Sequence, residues 1–145
     1  MFKKFRQFTS IIMLMVIATL ALAACNSAAA QPPQKPVEVQ VTLTEFKITS
    51  SQTTFSTGVP YHFVVTNKGT VNHEFMIMPP VSGTVSPEQV QKLALAGISG
   101  DELTPGATKT LDYTFTQPAP AGKLEFACHL PGHYEAGMHL SIVVK

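Results

Sequence analysis

From Val37 onward, apolar and polar residues alternate through much of the chain. Val37, Val39, Val41 and Leu43 are separated by Glu38, Gln40 and Thr42, which predicts a strand with one buried face. Phe46 and Ile48 continue the alternation. Tyr61 to Thr66 is a β-branched and aromatic run, closed by the turn signal Asn67-Lys68-Gly69. His73, Phe75 and Ile77 share one face of the next predicted strand, which ends at Pro79-Pro80. Lys109 to Phe115 follows Thr104-Pro105-Gly106, and Leu124 to Ala127 and His139 to Val144 complete the series. About seven or eight short strands punctuated by turns predict an all-β fold, an antiparallel Greek-key sandwich. One helix interrupts it, at Ser86 to Ala96. Ser86 is its N-cap, Pro87 suits the first helical position, Gln89 completes a capping box, and Gly97 ends it.

The first 36 residues break this pattern. Lys3, Lys4 and Arg6 precede an apolar stretch from Ile11 to Ala24, shorter than the roughly 20 residues of a membrane span. It reads as a signal peptide, residues 1–24. Leu22-Ala23-Ala24-Cys25 resembles the bacterial lipobox, which implies cleavage before Cys25 and lipid on its sulfur. Residues 25–36, rich in Ala, Gln and Pro, then form a tether reaching roughly 30 Å if extended, and residues 37–145 form one domain. Removing Lys3, Lys4 and Arg6 from the 10 basic residues leaves 7 against 9 acidic ones, a net charge of −2. No basic face points to nucleic acid.

With Cys25 lipidated, Cys128 is the remaining thiol and has no partner for an intrachain disulfide. A lone thiol outside the cytoplasm is prone to oxidation unless something holds it. Cys128, His133 and Met138 lie at intervals of five in Ala-Cys-His-Leu-Pro-Gly-His-Tyr-Glu-Ala-Gly-Met. Pro131 stiffens the loop, and Gly132 and Gly137 permit tight turns. A thiolate, an imidazole and a weak thioether suit a copper electron-transfer centre, which needs one more imidazole. His73 is the candidate, by placement and elimination. His62 faces away within its strand, and His129 and His139 adjoin Cys128 and Met138, so extended backbone turns them outward. Met76 and Met78 alternate with the His73 face, which predicts solvent-side or second-sheet packing. A copper enzyme needs further metal sites, and the spare histidines supply no second cluster.

The pattern resembles the cupredoxins, small blue-copper proteins that include plastocyanin, azurin, rusticyanin and auracyanin. Their signature is a lone upstream histidine, then cysteine, histidine and methionine on one C-terminal loop. His73, Cys128, His133 and Met138 match it position by position over roughly Val37 to Lys145. Both loop intervals hold four residues, as in auracyanin and rusticyanin; the first interval of plastocyanin is shorter. The resemblance implies one type 1 copper site in a monomer. It implies a carrier of single electrons between redox partner proteins, and the lipobox places it, lipid-anchored, on the extracytoplasmic face of a bacterial membrane. The alternative is a carrier or scavenger of copper ions at the cell surface. Two positions depart from the pattern. Many relatives carry Asn or Ser directly after the first histidine, tying the two ligand loops together; here that residue is Glu74, expected to point away from the site. Some relatives also use a backbone carbonyl as a fifth ligand, which here would come from Asn72.

Overall fold

The computed structural model describes residues 34–81 and 85–145. The expected leader, Cys25 and most of the tether lie outside them. Two sheets face each other. One runs in the order β2 (Lys47–Ser50), β1 (Val37–Thr44), β4 (Pro60–Asn67), β7 (Thr108–Thr114). The other runs β3 (Thr54–Phe55), β9 (His139–Val144), β8 (Ala119–Ala127), β5 (Phe75–Met78), β6 (Ala96–Ile98).

Alternation selects the inner faces. Val39, Val41 and Leu43 of β1 point inward, as do Tyr61, Phe63 and Val65 of β4. Phe55, Phe63, Phe75, Phe115 and Phe126 fill the space between the sheets, Phe75 and Phe126 with ring centroids 4.9 Å apart. Large rings in offset and edge-on contact hold both the burial and the spacing of the layers.

The sandwich is as the pattern predicts, but it is mixed rather than wholly antiparallel. β1 pairs parallel with β4, and β3 pairs parallel with β9. The chain leaves β1 through a hairpin into β2, crosses to the second sheet as β3, and returns as β4 beside β1. That return forces the parallel register. Glu45 and Phe46 are not strand residues; they form the two-residue turn between β1 and β2, where Thr44 faces Lys47. The alternation carries through because Leu43 and Ile48 are both buried.

The helix α1 (Pro87–Leu93) keeps its expected start. Ser86 Oγ accepts the Gln89 N–H at 3.3 Å, and Gln89 Oε1 accepts the Ser86 N–H at 2.9 Å. It ends early, because Ala96 to Ile98 pair with β5 instead. Gly97 is needed in that strand for room: a Cβ there would stand 2.1 Å from Met76 Sδ. Met76 and Met78 are buried beneath α1 with Val90 and Ala127, a small second core on the outer face of the sheet. Neither methionine is solvent-side.

Candidate metal centre

Asn67 ends β4 and is fully buried. Its amide nitrogen donates to the carbonyls of Val71 and Leu103, both at 2.8 Å, and its Oδ1 accepts the Gly69 N–H at 2.8 Å. These bonds fold residues 67–71 into a tight loop that swings the chain toward β5. The His73 N–H then donates to the Leu103 carbonyl at 3.2 Å. His73 lies just before β5 rather than within it, and is completely buried.

The second loop leaves β8 at Cys128 and enters β9 after Met138. The Cys128 N–H donates to the Met138 carbonyl at 3.1 Å, and the Met138 N–H to the His133 carbonyl at 3.0 Å. The loop is therefore closed on its own backbone. Gly132 has φ +83° and Gly137 φ +95°, a region that side chains with a Cβ rarely adopt.

Three of the four expected residues meet at their donor atoms. His73 Nδ1 lies 3.3 Å from His133 Nδ1, and Cys128 Sγ lies 3.3 Å from His133 Nδ1. All three donor atoms fall within 4.8 Å of one another. Two donors bonded to one ion at about 2.0–2.3 Å, with angles between tetrahedral and trigonal, stand about 3.3–3.8 Å apart. The spacings therefore fit a single shared ion. Met138 is fully buried in the same core, its backbone bonded to both Cys128 and His133. The other histidines are occupied elsewhere. His62 Nδ1 pairs with Asp112 at 2.5 Å on the outer face of its sheet. The His129 ring stacks on Tyr134 at 4.3 Å, and Tyr134 stacks on His139 at 4.7 Å.

Electrostatics favour neutral groups at the centre. Burial lowers the pKa of His73, and the nearby His133 lowers it further. Burial also lowers that of His133. Burial pushes the Cys128 thiol up to about 11. Both imidazoles are thus ready to donate at neutral pH, whereas the thiol must give up its proton to do so.

Glu74 does not point away. It is buried, and its Oε1 accepts the His129 N–H at 2.6 Å. Its own N–H donates to Cys128 Sγ at 3.4 Å. A carboxylate here ties the two loops together, the role the resemblance gives to Asn or Ser. Burial raises its pKa, and the bond from His129 opposes that shift. Two further residues escaped the sequence. Phe46, 42% exposed, sets its ring edge-on to His133 at 4.9 Å. Glu45 Oε1 lies 3.8 Å from His73 Nε2. Both sit in a hairpin turn without Gly, Asn or Pro, so no turn signal marked it.

No family model matches the chain. It is 41% identical over 83 residues to the copper-resistant cuproprotein CopI of Vibrio cholerae, a match covering 55% of this chain and 47% of that protein. The chain spans about half the length of these curated relatives, which include a CopI of Rubrivivax gelatinosus. Among solved structures it is similar to reduced auracyanin from Roseiflexus castenholzii, with TM-score 0.54 and 18% identity, covering 79% of this chain and 99% of that one. It is also similar to rusticyanin from Thiobacillus ferrooxidans, with TM-score 0.56 and 20% identity, covering 78% and 79%. The fold is the cupredoxin fold.

Proposed function

We propose that this chain is a type 1 copper protein that carries single electrons, with His73, Cys128, His133 and Met138 as ligands of one ion. The observation that carries the reading is the convergence of one sulfur and two imidazole nitrogens within 4.8 Å of one another, both spacings to His133 being 3.3 Å. That donor set, completed by a thioether, is soft enough to suit both copper oxidation states. The similar proteins support copper, since the curated relatives are named as cuproproteins and rusticyanin is titled a copper protein.

Bound copper supplies a one-electron couple. The protein's part is to hold the donors so that they need not move when the charge changes. Closure of the loop on Cys128 and Met138, and the Asn67 bonds behind His73, do this through the backbone. Cys128 and His73 are sealed from solvent, and His133 is only partly buried. On the two loops beside it, Phe46, Pro131, Gly132, Ala136 and Gly137 are exposed together with the acidic Glu45 and Glu135, a small rim of apolar and negative groups. Such a rim suits a redox partner that docks closely and briefly. The protein acts as a monomer at the extracytoplasmic face of a bacterial membrane, tethered by lipid on Cys25.

A second reading has a specific support: the relatives are named copper-resistant, which fits a carrier or buffer of the ion itself. Repeated cycles of oxidant and reductant separate the two, with copper content measured after each cycle beside a cuprous chelator. Electron transfer predicts that the colour returns in full and the copper stays. Loss of copper to the chelator on each reduction would favour ion handling. In the same assay, Met138→Leu is expected to keep copper and shift the reduction potential; an unchanged potential would count against Met138 as a ligand.

A further inference from the structure

His73 turns one ring nitrogen to Cys128 and His133 and leaves the other behind. That second nitrogen, Nε2, is buried and has no hydrogen-bond partner among the described residues. An imidazole that binds metal through one nitrogen normally donates the other N–H to a carboxylate, carbonyl or water, which fixes its tautomer and direction. Here the carboxylate oxygen Glu45 Oε1 stands 3.8 Å away, just outside hydrogen-bond distance.

That oxygen is not there by chance of a mobile side chain. The backbone N–H of Thr70 donates to it, as do the Val71 N–H at 3.2 Å and the Thr70 hydroxyl at 3.2 Å. These three bonds fix the carboxylate oxygen in place behind the imidazole ring. Gly69 gives an independent sign. A Cβ at this residue would stand 2.5 Å from Glu45 Oε1 and 2.8 Å from His73 Nε2, closer than real Cβ atoms approach. Gly69 is not among the glycines with positive φ, so its backbone does not demand glycine. The space shared by the carboxylate and the imidazole does. The turn Asn67 to Val71 thus does two things: it delivers His73, and it seats a negative charge behind it.

We propose that Glu45 is a positioning residue of the metal centre: its carboxylate selects the Nε2–H tautomer of His73, aims Nδ1 at the ion, and lowers the reduction potential by favouring the more positive oxidation state. The proposal rests on reading His73 as a copper ligand. Glu45 is one-third exposed, so solvent screens its charge and the shift in potential is modest. The effect on ligand direction is not screened.

The test uses Glu45→Gln, which keeps an oxygen for Thr70 and Val71 but removes the charge, and Gly69→Ala, which keeps the charge but wedges the pair apart. Copper-loaded protein is measured for reduction potential and, by competition, for copper affinity. The His73 tautomer is read by nitrogen NMR on the metal-free, unsubstituted protein. The expected results are an Nε2–H tautomer, a raised potential in Glu45→Gln, and affinity about 10–100-fold weaker in both variants. Parental potential and affinity in Glu45→Gln, or an Nδ1–H tautomer in the unsubstituted protein, would overturn the proposal. A missing blue band in the unsubstituted protein would instead strike the copper reading, so the two failures are separable.

Discussion

Cys128 carries the strongest constraint at the scale of single residues. Its thiol is fully buried and titrates near 11, while His73 and His133 titrate below their ordinary values and are neutral at pH 7. Metal uptake at pH 7 is therefore expected to release about one proton per ion, from the thiol alone. A weakly buffered titration with metal checks this; release near zero would mean that the thiol is not a ligand. Glu45 gives a second prediction. Its pKa falls from 4.5 to about 2 on folding, so the native state binds fewer protons than the unfolded chain between those values. Its stabilising contribution is present above pH 4.5 and is lost as the pH falls through about 2. Acid unfolding of metal-free Glu45→Gln should show a shallower pH dependence across that window, and an unchanged profile would deny the interaction. The contrast between these residues explains what was legible. Cys128, His133 and Met138 announce themselves by chemical type and even spacing on one loop. Glu45 does not, because a carboxylate in a turn is ordinary until the fold brings His73 to it.

The decisive elements are two loops and the residues that brace them. Asn67 uses both amide N–H donors and its carbonyl oxygen to brace the 67–73 segment, bonding Val71 and Gly69 within it and Leu103 beside it. Asn67→Ala would remove all three bonds, one of them buried, at an expected total cost of about 1–3 kcal/mol. Denaturant unfolding should show a loss of that size, and a loss under about 0.5 kcal/mol would contradict the bracing role. Ser86→Ala, which removes the cap of α1, is expected to cost about 1 kcal/mol and leave the metal centre unaltered. The start of α1 was readable because a capping box is a local device. Its end was not, because Gly97 answers to Met76 on a neighbouring strand, a contact that no local pattern encodes. The Glu45–Phe46 turn was hidden for a similar reason: the apolar period runs through it unbroken.

Across the whole molecule, the site lies where the sheets exchange chain. The four-stranded sheet delivers Asn67 and, from its β1–β2 turn, Glu45. The five-stranded sheet delivers Cys128 at the end of β8 and receives the loop again at β9. His73 sits on the crossing between β4 and β5, which brings a residue 55 positions upstream against the loop. The sandwich could be read from alternation alone, because each strand buries one face. The parallel pairings of β1 with β4 and β3 with β9 could not, since they depend on which sheet each connection enters. The proposed function stands on one buried ion held by the Cys128 thiolate together with His73 and His133. The most direct measurement is the visible spectrum of the oxidised, copper-loaded protein beside that of Cys128→Ser. An intense band that bleaches on reduction is expected in the first, and its loss in the second. A band of equal strength that survives Cys128→Ser would contradict the Cys128 ligation.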